Sequence, residues 1–152
     1  MSDSDLRQRL AAILAADAAG YSRLMSLDER ATVAALDAAR SVFHSQTAAN
    51  QGRVVDTAGD SVLAVFETAA GALNAAIQIQ AELAESAKNV PVDRRMLFRI
   101  GIHSGDVMEK ADGSVYGDGV NIAARLQALA EPGQITVSDS SVPTFFRGER
   151  AD

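Results

Sequence analysis

Asp17 closes the apolar run Leu10-Ala-Ala-Ile-Leu-Ala-Ala16, and Asp60 stands at the tip of a predicted hairpin. Two carboxylates brought together repel unless a cation lies between them. With backbone carbonyls and water they form a hard oxygen set, which suits Mg²⁺ or Mn²⁺ rather than zinc. Taken singly, each Asp is equally at home as a solvated turn or capping residue. Behind Asp17 the segment Ala18-Ala-Gly-Tyr-Ser22 turns from strand into helix. Exposed N–H groups at a helix start attract anions, so a polyphosphate fits there. Asn121 and Arg125, four residues apart on a predicted helix, share one face. A rigid guanidinium fork beside a neutral amide can hold a phosphoryl oxygen and a sugar oxygen together. An exposed helix surface also carries such pairs.

These groups need elements to hold them. Leu10–Ala16 reads either as a buried strand or as Ala-rich helix. Asp28-Glu29 precedes an amphipathic helix from Arg30 to about Asn50, with Leu36, Ala39, Val42 and Phe43 on one face and Gly52 at its stop. Val54-Val55 and Val62–Phe66 flank Ala58-Gly-Asp60 as two antiparallel strands. Thr68 caps a second helix to about Lys88, with Leu73, Ile77 and Leu83 along one face. Met96–His103 reads as a strand, Val115-Tyr116 lies in a Gly-punctuated loop, and Val120–Ala130 is a third helix with Ile122 and Leu126 on one face and Leu129 close to it. Ile135-Thr-Val137 is a last short strand. This order predicts an α+β fold, a ferredoxin-like βαββαβ core with an additional helix and strand and with helices covering one face of an antiparallel sheet. The first strand is then central and beside the hairpin, which makes Asp17 and Asp60 neighbours. His103 at mid-strand is expected to be packed or hydrogen-bonded, His44 to sit on a helix surface, and Tyr21 to pack in the core.

The chain of 152 residues, 47% hydrophobic, suits one compact domain over 1–152. A net charge of -6 disfavours binding to nucleic-acid phosphates. Zero Cys excludes disulfides, thiolate zinc sites and thiol nucleophiles, and is consistent with a cytoplasmic setting. No window approaches the roughly 18 to 20 uninterrupted apolar residues of a membrane span, so no membrane contact is expected of this chain. GxxxxGK[ST], a complete GxGxxG, GxSxG and HExxH are all missing, which removes the common nucleotide cradles and hydrolase sites.

Four strings change the weighing: Asp17-Ala-Ala-Gly-Tyr-Ser22, Gly52-Arg-Val-Val-Asp-Thr-Ala-Gly-Asp-Ser-Val-Leu-Ala-Val-Phe66, Phe98-Arg-Ile-Gly-Ile-His-Ser-Gly105 and Tyr116-Gly-Asp-Gly-Val-Asn-Ile-Ala-Ala-Arg-Leu126. In order and spacing they resemble the catalytic domains of class III adenylate and guanylate cyclases, over about Leu10 to Ser138. The resemblance implies that Asp17, Asp60 and the Ala18 carbonyl hold two Mg²⁺ or Mn²⁺ ions per site. Ala19, Gly20, Tyr21 and Ser22 would cradle phosphates, Asn121 would position the ribose, and Arg125 would stabilise the α-phosphate. It further implies ATP converted to 3′,5′-cyclic AMP and pyrophosphate, at sites shared across an antiparallel homodimer.

Base recognition departs from the family. Asp56 stands where adenylate cyclases usually have Lys and guanylate cyclases Glu, and Ser114 fills the partner position. Asp56 only accepts, from adenine N6 or from guanine N1–H and N2–H, while Ser114 can donate to adenine N1 or guanine O6. GTP as substrate, or a catalytically weak domain that dimerises and senses nucleotide, are the alternatives. Relatives usually continue past Val137 into further strands, one carrying a basic phosphate contact. This chain ends at Asp152, with Phe145-Phe-Arg-Gly-Glu-Arg150 in that region. It is expected to be shortened there or to lack that ligand.

Overall fold

A computed structural model describes residues 6–139. The chain runs β1 (Leu6–Ala18), α1 (Tyr21–Leu27), α2 (Glu29–Ala49), β2 (Gly52–Ala58), β3 (Ser61–Phe66), α3 (Ala69–Ala87), a 3-10 turn (Val92–Arg94), β4 (Phe98–Lys110), β5 (Val115–Tyr116), α4 (Asp118–Leu129) and β6 (Ile135–Val137). The strands form one sheet in the order β2-β3-β1-β4-β5, with β6 joining β4 in parallel and the other pairings antiparallel. The α+β reading with β1 at the centre beside the hairpin therefore holds.

The ambiguity over Leu10–Ala16 resolves as strand, for a reason visible in its burial. Ala12, Leu14 and Ala16 face a core shared with Leu36, Ala39 and Phe43 of α2 and Ala72, Ala76 and Ile79 of α3. Ala11, Ile13 and Ala15 face a second core with Val65, Val107 and Ala123. A strand covered on both faces loses its polar alternation and reads as a continuous apolar run. Phe43 and Phe98 anchor the first core with ring centroids 5.1 Å apart, and burying each ring contributes about 1.5 to 3 kcal/mol.

Several expectations need correction. The helices do not all cover one face: α2 and α3 take one, and α4 packs alone on the other. On α3 the buried stripe is Ala72, Ala75, Ala76 and Ile79, while Ile77 is exposed; on α4 it is Gly119 and Ala123, with Ile122 and Leu126 only partly covered. Small residues let these helices approach the sheet closely, so bulk was a poor guide to the inward face. β4 extends seven residues beyond His103 because it pairs with the polar start of β1, Leu6 opposite Lys110, and Val115-Tyr116 is a short strand against it rather than loop. At the end of α2 the left-handed residue is Gln51, at φ 58°. Gly52 instead gives clearance to Phe66, whose ring would lie 2.5 Å from an added Cβ. The Thr68 cap holds, its hydroxyl accepting from Gly71 N–H, and the structure adds a cap at Asp28, whose carboxylate accepts from Ala31 N–H.

Gly101 sets the height of α4 above the sheet. A Cβ there would lie 2.3 Å from the Gln127 nitrogen and 2.4 Å from the Ala123 carbonyl oxygen, both rigid backbone. Gly101→Ala should cost about 1 to 3 kcal/mol, read as a lowered urea midpoint, because the whole helix must lift. Wild-type stability in that variant would show that α4 is not pinned by this contact.

Candidate active site

The pairing of β1 with its two neighbours brings three charges to one strand end. Ala16 stands opposite Val62 of β3, so the hairpin turn at Gly59 and Asp60 falls beside Ala18, and the Ala18 N–H donates to Asp60 Oδ2 at 3.0 Å. Gly59, at φ 57°, makes the turn, and the Arg40 guanidinium of α2 donates to its carbonyl, tying the tip to the helix layer. On the other side Asp17 lies opposite Arg99. Arg99 Nε donates to Asp17 Oδ1 at 3.1 Å and Nη2 to Oδ2 at 3.0 Å, a two-pronged ion pair with both side chains partly covered. The guanidinium is held above its ordinary pKa, first by the Asp17 hydrogen bond and then by the fields of Asp17 and Asp60. Asp17 and Asp60 thus share one location, and Arg99 joins them. Arg99 lay inside the Phe98–Gly105 string; its cross-strand position opposite an acid was the signal available for it.

The donor set fits a hard divalent ion. Among the described residues no three His, Asp or Glu side chains converge, so the protein offers two carboxylates and nearby carbonyls. Mg²⁺ commonly takes one or two carboxylates and completes its shell with water and substrate phosphate, which matches that count.

The turn after Asp17 is partly spent. Ala18 N–H binds Asp60 and Ala19 N–H donates to the Leu97 carbonyl at 2.8 Å, so Ala19 has no amide free for a phosphate. Gly20 is left-handed at φ 66°, and α1 starts behind it, so the N–H groups of Tyr21 and Ser22 lie in a first helical turn without intrahelical acceptors. Tyr21 packs against the core, as expected.

Asn121 and Arg125 point elsewhere. Gly119, Ala123 and Gln127 are the α4 residues against the sheet. At about 100° per residue, Asn121 lies two residues, roughly 200°, from Gly119 and Ala123, and Arg125 stands likewise between Ala123 and Gln127. Both are exposed, and neither makes a side-chain hydrogen bond or ion pair among the described residues. The structure therefore joins the two acids but turns the amide and guanidinium of the same chain outward.

The two sheet edges near Asp56 and Ser114 come closer than the strand order suggests. β2 and β5 end the sheet's main path, yet Val55 and Val115 pack into one cluster, and the Arg53 guanidinium bridges to Glu109 of β4. The curl of the sheet closes that gap. The register between β2 and β3 shifts between Val54 and Asp56, and Asp56 is exposed. The Ser114 hydroxyl, expected to be a donor to a base, donates to Asp112 Oδ1 at 2.6 Å. That contact is the first cause holding the Asp112 carboxyl below its ordinary pKa.

The family model described as "Adenylate and Guanylate cyclase catalytic domain" matches residues 7–146. "Putative adenylate cyclase 3" of Rhizobium meliloti (strain 1021) is 44% identical over 140 residues, 91% of this chain and 24% of that protein. An "Adenylate cyclase" of Glutamicibacter nicotianae is 34% identical over 103 residues, 64% of this chain and 22% of its own length. The chain thus spans about a quarter of the length of these curated relatives. Among solved structures, an "Adenylate/Guanylate Cyclase/Hydrolase" from Silicibacter pomeroyi superposes with a TM-score of 0.79 at 41% identity, covering 95% of this chain and 83% of that one. No helix among the described residues is long and apolar enough to cross a membrane.

His103 sits where α4 meets β4, its Nδ1 2.9 Å from the Ser138 hydroxyl, and burial pushes its pKa below the ordinary 6.5. The neutral ring is thus favoured in the folded chain. Its stabilisation is complete above about pH 6.5 and is lost as pH falls through the lowered folded value. The drop in melting temperature between pH 7 and pH 5 should therefore be smaller in His103→Gln than in the wild type; an equal drop would remove His103 as a contributor.

Proposed function

The chain belongs to the adenylate and guanylate cyclase catalytic domain family, and on that premise we propose that it closes ATP to 3′,5′-cyclic AMP and pyrophosphate as one half of a homodimer. The observation that carries this reading is the split arrangement: Asp17 and Asp60 meet at the end of β1, while Asn121 and Arg125 face away from their own sheet. A single copy cannot aim both sets at one substrate. Two antiparallel copies can, and symmetry then gives two equivalent sites.

Asp17, Asp60 and the Ala18 carbonyl would hold two Mg²⁺ or Mn²⁺ ions, which when bound lower the pKa of the ribose 3′-hydroxyl and offset triphosphate charge. The remaining work falls to the chain. Gly20, Tyr21 and Ser22 present backbone N–H groups to the polyphosphate. Asn121 of one copy positions the ribose so that its 3′-oxygen faces the α-phosphorus, a placement that removes much of the entropic barrier. As that oxygen bonds to phosphorus, the bond to the pyrophosphate oxygen breaks and the hydroxyl proton passes to solvent. Arg125 stabilises the charge on the α-phosphate oxygens in the transition state.

Adenine is supported by the names of the relatives, and Asp56 can accept from its 6-amino group. GTP is the second reading, favoured by the same residue, since a carboxylate can also accept from guanine N1–H and N2–H.

Purified chain with Mn²⁺ and either ATP or GTP should release cyclic product; a yield no higher than that of Asp60→Ala would reject catalysis. Arg125→Ala should lower kcat by about 10² to 10³ with an unchanged melting temperature. Mixing Asp17→Ala with Arg125→Ala chains should restore about a quarter of wild-type activity, because half the dimers are mixed and each mixed dimer has one intact site. No recovery under conditions where mixed dimers form would sink the shared-site arrangement.

A further inference from the structure

We propose that Arg99 is a resident counter-ion that competes with divalent metal for Asp17, so that the nucleotide-free protein binds metal weakly. This rests on the reading of Asp17 and Asp60 as metal ligands. Both Asp17 oxygens receive a hydrogen bond from the guanidinium, at 3.1 and 3.0 Å, and Asp60 adds to the field that holds the cation there. Asp60 itself commits only Oδ2, to the Ala18 N–H, and no donor reaches its Oδ1 among the described residues. One acid is therefore open and the other is already neutralised.

The ion pair is built into the sheet. Asp17 and Arg99 are cross-strand partners, and Ile100 and Ala16 beside them are buried, which fixes both backbones. A two-pronged fork along the carboxylate edge occupies its inner lone pairs. A divalent ion approaching Asp17 meets a fixed positive charge about 3 Å from the oxygens it seeks, and must turn the fork aside or bind against its repulsion. Arg99 also offsets the mutual repulsion of Asp17 and Asp60, since its guanidinium lies in the field of both.

The sign of one measurement separates this from a structural role. Mn²⁺ binding to the full chain without nucleotide, followed by electron paramagnetic resonance of the free ion, should be about tenfold tighter in Arg99→Gln than in wild type, and intermediate in Arg99→Lys. Adding Asp17→Asn should erase the difference. If Arg99 instead props Asp17 in a ligating pose, Arg99→Gln will bind Mn²⁺ equally or more weakly, and the proposal fails. A readout that needs no variant is the Arg99 Nε–H resonance of the wild type. It should shift and exchange faster as Mg²⁺ saturates the site, and an unchanged resonance at saturation would overturn displacement. Cyclic product together with unchanged Mn²⁺ affinity in Arg99→Gln would reject the counter-ion while sparing the cyclase reading; the expected metal pattern without product would do the reverse.

Discussion

Everything at the candidate site depends on how charge is balanced at the end of β1. Asp17 arrives there on β1 and Asp60 on the adjoining hairpin turn, and the two negative charges beside one another favour a nearby cation. In the protein alone that cation is Arg99, delivered by the strand on the other side. The pair is only partly covered, so it adds little net stability; its value lies in direction, because a rigid fork fixes the carboxylate plane.

The second constraint is the close approach of α4. Gly101 removes a side chain that would hold the helix off the sheet, and Gly119 does the same against Ile13, where an added Cβ would fall 2.7 Å from the methyl. A helix seated this low spends its small-residue face on the sheet, and its polar face, with Asn121 and Arg125, is left outward. Packing of apolar surface and outward placement of the Asn121–Arg125 pair are thus two consequences of one helix orientation. On the proposed reading this is what makes dimerisation part of the chemistry, since no rotation of α4 could serve both its core and its own chain's acids.

Curvature of the sheet provides the third contribution. β2 and the β4–β5 hairpin are distant along the strand order, yet Arg53 and Arg9 both converge on Glu109, whose carboxyl lies below its ordinary pKa, first through the Arg53 hydrogen bond. This polar clasp closes the curl near Asp56 and Ser114. The ion cluster has no local signature, and Ser114 carries an Asp112 partner that its own position in the sequence did not announce.

Sequence alone determined the order of the main helices and of the β2–β3 hairpin, the cap at Thr68, and the proximity of Asp17 to Asp60. Each of those follows from local chemistry or from the chirality and adjacency rules that fix a central first strand. The four strings determined the family, because polar residues at such spacings are not dictated by packing. Tertiary structure decided which face each helix presents, that β1 is a strand covered on both sides, that Ala19 spends its amide on Leu97, and that Arg99 neutralises Asp17. These depend on contacts between residues far apart in the chain, where an alanine or glycine gains its meaning from what lies above it and an arginine from the acid across the ladder. Hydrophobic size and spacing along one segment carry no record of that partner.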